Sequence, residues 1–115
     1  MKADELIKLY ESGKRHFQGS ELNGANLSDA VLSEVNLSDA NLSEAILIMA
    51  DLRKANLNAA DLNKADLSKA NLKAADLSKA DLRKADLSEA EVTDEQLAQA
   101  WLLTGATMPD GARYD

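Results

Sequence analysis

The chain has 115 residues and no cysteine, so we expect one domain without disulfides, a thiol nucleophile or a cysteine zinc site. Apolar residues make up 45% of the composition but aromatic residues only 3%, so leucine and alanine must fill the interior. The net charge of −7 disfavours direct binding to nucleic acid or to an anionic membrane, and we expect neither.

The first segment, residues 1–14, is expected to be an N-terminal capping helix. Its helical part spans residues 4–12, with Asp4 as the N-cap and Gly13 as the stop. The apolar side chains of this helix share one face: Leu6, Ile7, Leu9 and Tyr10.

No targeting or membrane segment is expected. Acidic residues near the start stand where a signal peptide would have its basic region. The longest apolar run, Ala45 to Ala50, is too short to span a bilayer. We therefore expect a cytoplasmic protein.

A five-residue repeat occupies residues 15–92. Leucine stands at every fifth position from Leu22 to Leu87, and Phe17 and Val92 extend the register to sixteen repeat centres. Alanine stands two residues before every centre from Leu27 to Val92 except Leu37, which Val35 precedes, and Asp or Asn usually stands one residue before the centre. The two residues after each centre are mostly polar.

This period excludes a single helix or a straight strand. A helix turns by about 100° per residue, so residues five apart would scatter around its surface. In a straight strand, residues five apart point to opposite faces. If the chain turns a corner after every repeat, all leucines and alanines can face one axis, and Asn, Asp and Ser suit such corners. The period therefore predicts an all-β solenoid, and the spacing alone leaves the number of corners per coil open.

The tract Ala-Asn-Leu-Ser-Asp, Ala-Asp-Leu-Asn-Lys, Ala-Asp-Leu-Ser-Lys resembles the pentapeptide-repeat family, whose consensus is A(D/N)LXX. The resemblance covers residues 15–92. It implies a right-handed quadrilateral β-helix with four repeats per coil, and therefore about four coils. Leucines 20 residues apart would then stack, and the central core stack would be Leu22, Leu42, Leu62 and Leu82.

The last segment, residues 93–115, is expected to be a C-terminal capping helix and tail. Thr93 to Gln96 reads as a capping box before a helix that runs from Leu97 to Leu103 and stops at Gly105. Leu97 and Leu102 keep the pentad register, so a longer solenoid is the alternative. Residues 108–111 predict a turn. Family members often carry a similar N-terminal helix and TMPDG tail.

The repeat residues do not assemble a catalytic or metal site in the sequence. The many serines have no evident base, because His16 is the only histidine and falls at an outward position. Asp61 with Asp81, and Asp66 with Asp86, would stack as carboxylate ladders, but each has lysine or arginine close by. We therefore expect no enzyme activity, no cofactor and no metal.

Charge along the axis bears on the activity best known in the family, in which some members mimic DNA and inhibit gyrase. Residues 1–50 carry a net charge of −4, residues 51–90 carry +1, and residues 91–115 carry −4. A DNA mimic needs a continuous negative column, which the middle coils interrupt. Modulation of DNA gyrase is therefore the alternative function, and a non-catalytic scaffold or protein-interaction module is the leading one.

One surface region breaks the polarity rule of the repeat. Ile46, Ile48 and Met49 occupy positions expected to face outward around Leu47, and Val31 does so in an earlier repeat. At 20 residues per coil, Val31 would lie beside Asp51, next to Met49. A contact with a protein partner or a second copy is the functional interpretation of this patch. The alternative is the scatter of exposed apolar side chains that soluble proteins tolerate. A protein partner is expected, with the protein a monomer or a homodimer. The resemblance points to the small cytosolic pentapeptide-repeat proteins abundant in cyanobacteria.

Overall fold

A computed structural model describes all of residues 1–115, in a molecule that measures 39 × 23 × 21 Å. It contains two helices, α1 (Ala3–Glu11) and α2 (Asp94–Ala98). Between them, residues 20 positions apart pair as parallel β-bridges, from His16 with Asn36 to Asn71 with Glu91. The chain therefore winds as a solenoid in which each coil lies on the one before it.

The bridged residues stand directly before each repeat centre and form four columns, which begin at His16, Glu21, Asn26 and Val31. Each bridge has two hydrogen bonds. The N–H of Asp61 donates to the carbonyl oxygen of Ala40 at 2.9 Å, and the N–H of Leu42 donates to the carbonyl oxygen of Asp61 at 2.7 Å. Four sides of five residues thus complete one coil.

Each corner of the solenoid is a β-turn that starts at the repeat centre. The N–H of Ala65 donates to the carbonyl oxygen of Leu62 at 3.0 Å, and the same bond recurs from repeat to repeat. The third residue of the turn has φ near +60°, as at Lys64, which is the backbone pattern of a type II turn. The corner redirects the chain after every repeat, so residues five apart face the same axis.

The core is narrow and almost entirely leucine and alanine. Every centre from Leu22 to Leu87 is at most 1% exposed, and the interior contains no buried polar side chain. Val35, which replaces an alanine, is also fully buried, so the interior accommodates valine there. The expected core stack consists of buried leucines, each directly after a bridged residue of the same column: Leu22, Leu42, Leu62 and Leu82.

Helix α1 lies against the first coil, with Leu6 and Tyr10 in the core. The expectation that Asp4 caps this helix is wrong, because the N-cap is Lys2, whose N–H donates to Glu5 Oε1 at 3.2 Å. Glu5 is the third helical residue and is placed to reach back to the cap. Gly13, at φ +105°, ends the helix as expected, in a Schellman arrangement.

The C-terminal segment combines the two alternatives from the sequence. Thr93 caps α2, since its Oγ1 accepts from the N–H of Gln96 at 3.1 Å. The expectation that this helix extends to Leu103 is wrong, because α2 ends at Ala98. From Trp101 the chain returns to the ladder, and Leu102 bridges Asp81 with an offset of 21 residues.

Helix α2 ends early because the coil below presents backbone groups at its edge that need hydrogen-bond partners. The N–H of Trp101 donates to the carbonyl oxygen of Ala80 at 2.9 Å, and the N–H of Leu82 donates to the carbonyl oxygen of Leu102 at 2.8 Å. A longer helix would leave these edge groups without protein partners. The expected turn is present, because the N–H of Gly111 donates to the carbonyl oxygen of Met108 at 2.8 Å.

Candidate interaction surface

The Asp, Asn and Ser residues of the repeat are engaged in the corners. The Oδ1 of Asp66 accepts hydrogen bonds from the backbone N–H of Ser68 at 3.0 Å and from its Oγ at 2.7 Å. The same pair of bonds recurs at Asp86 and Ser88. These side chains therefore stabilise turns, which explains their abundance without a catalytic role.

The structure holds no group of three or more His, Asp or Glu side chains that could bind a metal ion. His16 is exposed at the first bridged position.

Asp51 and Asp81 each form an ion pair with the arginine two residues later in the chain. Arg53 Nη2 lies 2.7 Å from Asp51 Oδ2, and Arg83 Nη2 lies 2.8 Å from Asp81 Oδ2. The hydrogen bond from the arginine side chain is the main influence that lowers the pKa of each aspartate, against the opposing effect of partial burial. These corners carry locally balanced charge.

Val31 and Ile46 interrupt the turn bonding. Each stands at the bridged position where Asp or Asn would accept from the backbone N–H two residues later. The N–H groups of Ser33 and Ile48 consequently have no acceptor in the protein. Val31 is 60% exposed and Ile46 37% exposed. Burial of these apolar side chains therefore does not compensate for the missing turn hydrogen bond.

The apolar residues that stand at outward positions of these repeats, here called the apolar patch, are Val31, Ile46, Ile48 and Met49. Met49 is 56% exposed on the corner that follows Leu47. Asp29 lies one coil below, and its N–H donates to the carbonyl oxygen of Ile48 at 2.8 Å. The patch therefore spans two coils around one corner. Ile48 is half-buried, so it adds less exposed surface to the patch than Val31 or Met49.

A groove that sequence reasoning missed lies between α1 and the first coil, with a volume of about 560 Å³. We call it the α1 groove. Its apolar lining is Ile7, Tyr10, Ala30 and Val31. Its charged lining is Glu11, Asp29 and Arg15. No sequence signal could locate it, because it depends on where α1 settles across the solenoid end.

The hydrogen bonds of Tyr10 and Arg15 hold α1 in that position. Tyr10 Oη donates to the carbonyl oxygen of Ser33 at 2.7 Å. The Arg15 guanidinium lies 3.7 Å from the centre of the Tyr10 ring and donates to the Tyr10 carbonyl oxygen at 2.9 Å. Arg15 is thus occupied with contacts inside the protein.

The opposite end exposes Trp101, at 73%, and Tyr114, at 46%. Sequence reasoning missed this exposure because it placed Trp101 in a longer helix. Neither helix of the protein is long and apolar enough to cross a membrane.

The repeat geometry agrees with a match to known proteins. Residues 16–47 and 50–89 match eight copies of the family model for pentapeptide repeats. The chain belongs to the pentapeptide-repeat family. It is similar to the crystal structure of alr5209, a pentapeptide repeat protein from Nostoc PCC 7120, with 36% identity and a TM-score of 0.73. That alignment covers 88% of this chain and 95% of alr5209.

Among other pentapeptide-repeat proteins, Rfr23 from the cyanobacterium Cyanothece 51142 is 32% identical with a TM-score of 0.68. The alignment covers 87% of this chain but only 64% of Rfr23. QnrB1, a plasmid-mediated fluoroquinolone resistance protein, is 20% identical with a TM-score of 0.40, a likeness that carries no argument about function. No curated protein matches the sequence. Members of the family are generally non-catalytic structural or interaction modules.

Proposed function

We propose that this pentapeptide-repeat protein is a non-catalytic, cytoplasmic scaffold that binds a protein partner through its apolar patch. The observation that carries the proposal is the loss of turn bonds at Val31 and Ile46. At both positions an exposed apolar side chain replaces the Asp or Asn that the neighbouring repeats use to bind a backbone N–H.

An exposed apolar side chain at these positions stabilises the fold less than the polar side chain it replaces. A turn hydrogen bond contributes about 0.5–1.5 kcal/mol to stability, and an apolar side chain that stays exposed contributes much less. Departures from a local rule without compensation inside the fold tend to mark functional positions. A partner that covers Val31, Ile46 and Met49 would supply the missing burial, since apolar contacts drive protein association.

The proposal includes the finer architecture of the scaffold. We infer a right-handed quadrilateral β-helix of about four coils, with α1 and α2 as caps at its ends. The four bridged columns support the quadrilateral form. Leu6 of α1 and Leu97 of α2 support the caps, since they are 0% and 5% exposed and both belong to the central core cluster. Capped ends keep a solenoid from pairing edge to edge with other copies.

The test places a charge in the patch without disturbing the turn. Met49→Lys is suited to this, because Lys69 occupies the equivalent corner position one coil above at nearly the same φ. Ala59→Lys is the matched control, since it adds the same charge at the same turn position on another corner. Ile48→Lys is a second patch variant, although its half-buried side chain makes it less clean.

Two measurements read out the result. Sedimentation velocity over a range of concentrations would detect a homodimer that Met49→Lys dissociates and Ala59→Lys leaves intact. Affinity purification from the native host would detect a partner that only the patch variants lose. Identical association of wild type and Met49→Lys in both measurements would contradict the proposal.

A further inference from the structure

The first coil presents an unpaired backbone edge at Val31. In every higher coil, the residue at this column donates its N–H to the coil below and accepts a hydrogen bond from it, as Asp51 does with Ala30 and Leu32. Val31 has no coil below it, and neither its N–H nor its carbonyl oxygen has a partner in the protein. With 60% of its surface exposed, Val31 is accessible to another chain.

The α1 groove lies directly beside this edge, and Val31 lines it. We propose that the edge and the groove together bind an extended peptide segment of a partner protein, one with two apolar residues separated by a single residue and flanked by lysine or arginine. The segment adds to the edge as a parallel strand. The inference extends the proposed function, because Val31 belongs to both the apolar patch and the groove.

The ladder defines how such a segment would bind. Its first apolar residue accepts from the N–H of Val31 through its carbonyl oxygen, and its second apolar residue donates its N–H to the carbonyl oxygen of Val31. This is the pattern that Ala30 and Leu32 make with Asp51 one coil higher. Since side chains alternate along a strand, both apolar side chains point toward the groove and the intervening one points to solvent.

The groove chemistry fits these two side chains. Ile7, Tyr10 and Ala30 supply apolar surface, and the volume of about 560 Å³ is within the range of ligand sites. Tyr10 is fixed by its hydrogen bond to Ser33, so this wall of the groove is preformed.

Charge selects a basic partner segment. Glu11 and Asp29 are exposed at the rim, and residues 1–50 carry a net charge of −4. Arg15 keeps its positive charge, but the two carboxylates of Glu11 and Asp29 outnumber it in the lining of the groove. The same charge disfavours a second copy of the chain as the occupant, since two acidic ends would have to meet.

The experiment uses the full chain and the peptide acetyl-Lys-Arg-Leu-Thr-Leu-Arg-Lys-amide, with binding followed by titration calorimetry. We expect saturable 1:1 binding. N-methylation of the second leucine, which removes the N–H that donates to Val31, should weaken binding about tenfold. N-methylation of the threonine is the control, because that N–H points away from the edge, and it should change the affinity little.

Protein variants test the same contacts from the other side. Val31→Pro removes an N–H that has no partner in the fold and should weaken binding more than Val31→Ala, which keeps it. Asp29→Lys, which installs the residue found at position 69 of the same column, should weaken binding and reduce its salt dependence.

The outcomes separate this inference from the proposed function. The inference is supported if Met49→Lys leaves peptide binding unchanged while the N-methylated second leucine, Val31→Pro and Asp29→Lys weaken it. This holds even if the patch binds nothing. Absence of saturable binding overturns it, as does equal loss from the two N-methyl peptides. Self-association through Val31 that competes with the peptide would also overturn it, because the occupant would then be a second copy.

Discussion

Replacing Ala59 by glycine should leave the protein as stable as before or more stable, whereas the same replacement at Ala60 should destabilise it. The two residues are adjacent but occupy opposite environments. Ala59 is the third residue of a turn, with φ +60°, where an L-residue is strained. Ala60 is 1% exposed and packs in the core cluster.

The magnitudes follow from these positions. Relief of the left-handed conformation at Ala59 is worth about 1–2 kcal/mol, and the extra freedom of glycine in the unfolded chain offsets about 0.4–1 kcal/mol of it. At Ala60 glycine gives the unfolded chain the same extra freedom but relieves no strain in the folded state. Removal of a buried methyl group there costs about 0.8 kcal/mol more. Because the entropy is common to both variants, the expected difference between them is about 2–3 kcal/mol.

Urea unfolding followed by circular dichroism would measure this difference, with equal m-values for the two variants as the check that both unfold from the same native state. An equal loss of stability in Ala59→Gly and Ala60→Gly would refute the expected relief of strain at Ala59. That result would mean that the turn geometry does not strain the non-glycine residues at the corners.

Two further predictions concern the core and the corner charges. Leu62→Ala should lower the free energy of unfolding by about 2–5 kcal/mol, because Leu62 is fully buried, and a much smaller loss would question the central stack. The pKa of Asp81 is lowered in the folded protein by Arg83, so its contribution to stability is present above the unfolded pKa near 3.8 and is lost as the pH falls through the folded pKa. Asp81→Asn should therefore flatten the acid limb of a stability–pH profile, and an unchanged acid limb would contradict this.

The apolar patch could be located from the sequence because it consists of exceptions within a strict repeat. Once a coil is taken as 20 residues, Val31 and Met49 must lie close together, and the bridge between Val31 and Asp51 is the one expected. The half-burial of Ile48 could not be read in this way, because it depends on how each side chain leans against its neighbours.

The α1 groove and the free edge at Val31 are different in kind. They arise from the position of α1 across the end of the solenoid, which Tyr10 fixes through a hydrogen bond to a residue 23 positions away. A local sequence pattern identifies α1 as a helix, but it does not determine how the helix is oriented relative to the solenoid. For the same reason the edge that remains open could not be predicted.

The five-residue period by itself determined the inward leucines, the corners and the polarity of each position, since these follow from local alternation and turn chemistry. Tertiary structure decided the two ends. The sequence predicted a helix from Leu97 to Leu103, but the unpaired edge of the coil below takes up residues from Trp101 onward and ends α2 at Ala98. Backbone groups at an edge require partners wherever the chain can supply them, and that demand outweighs the helical preference of a short segment.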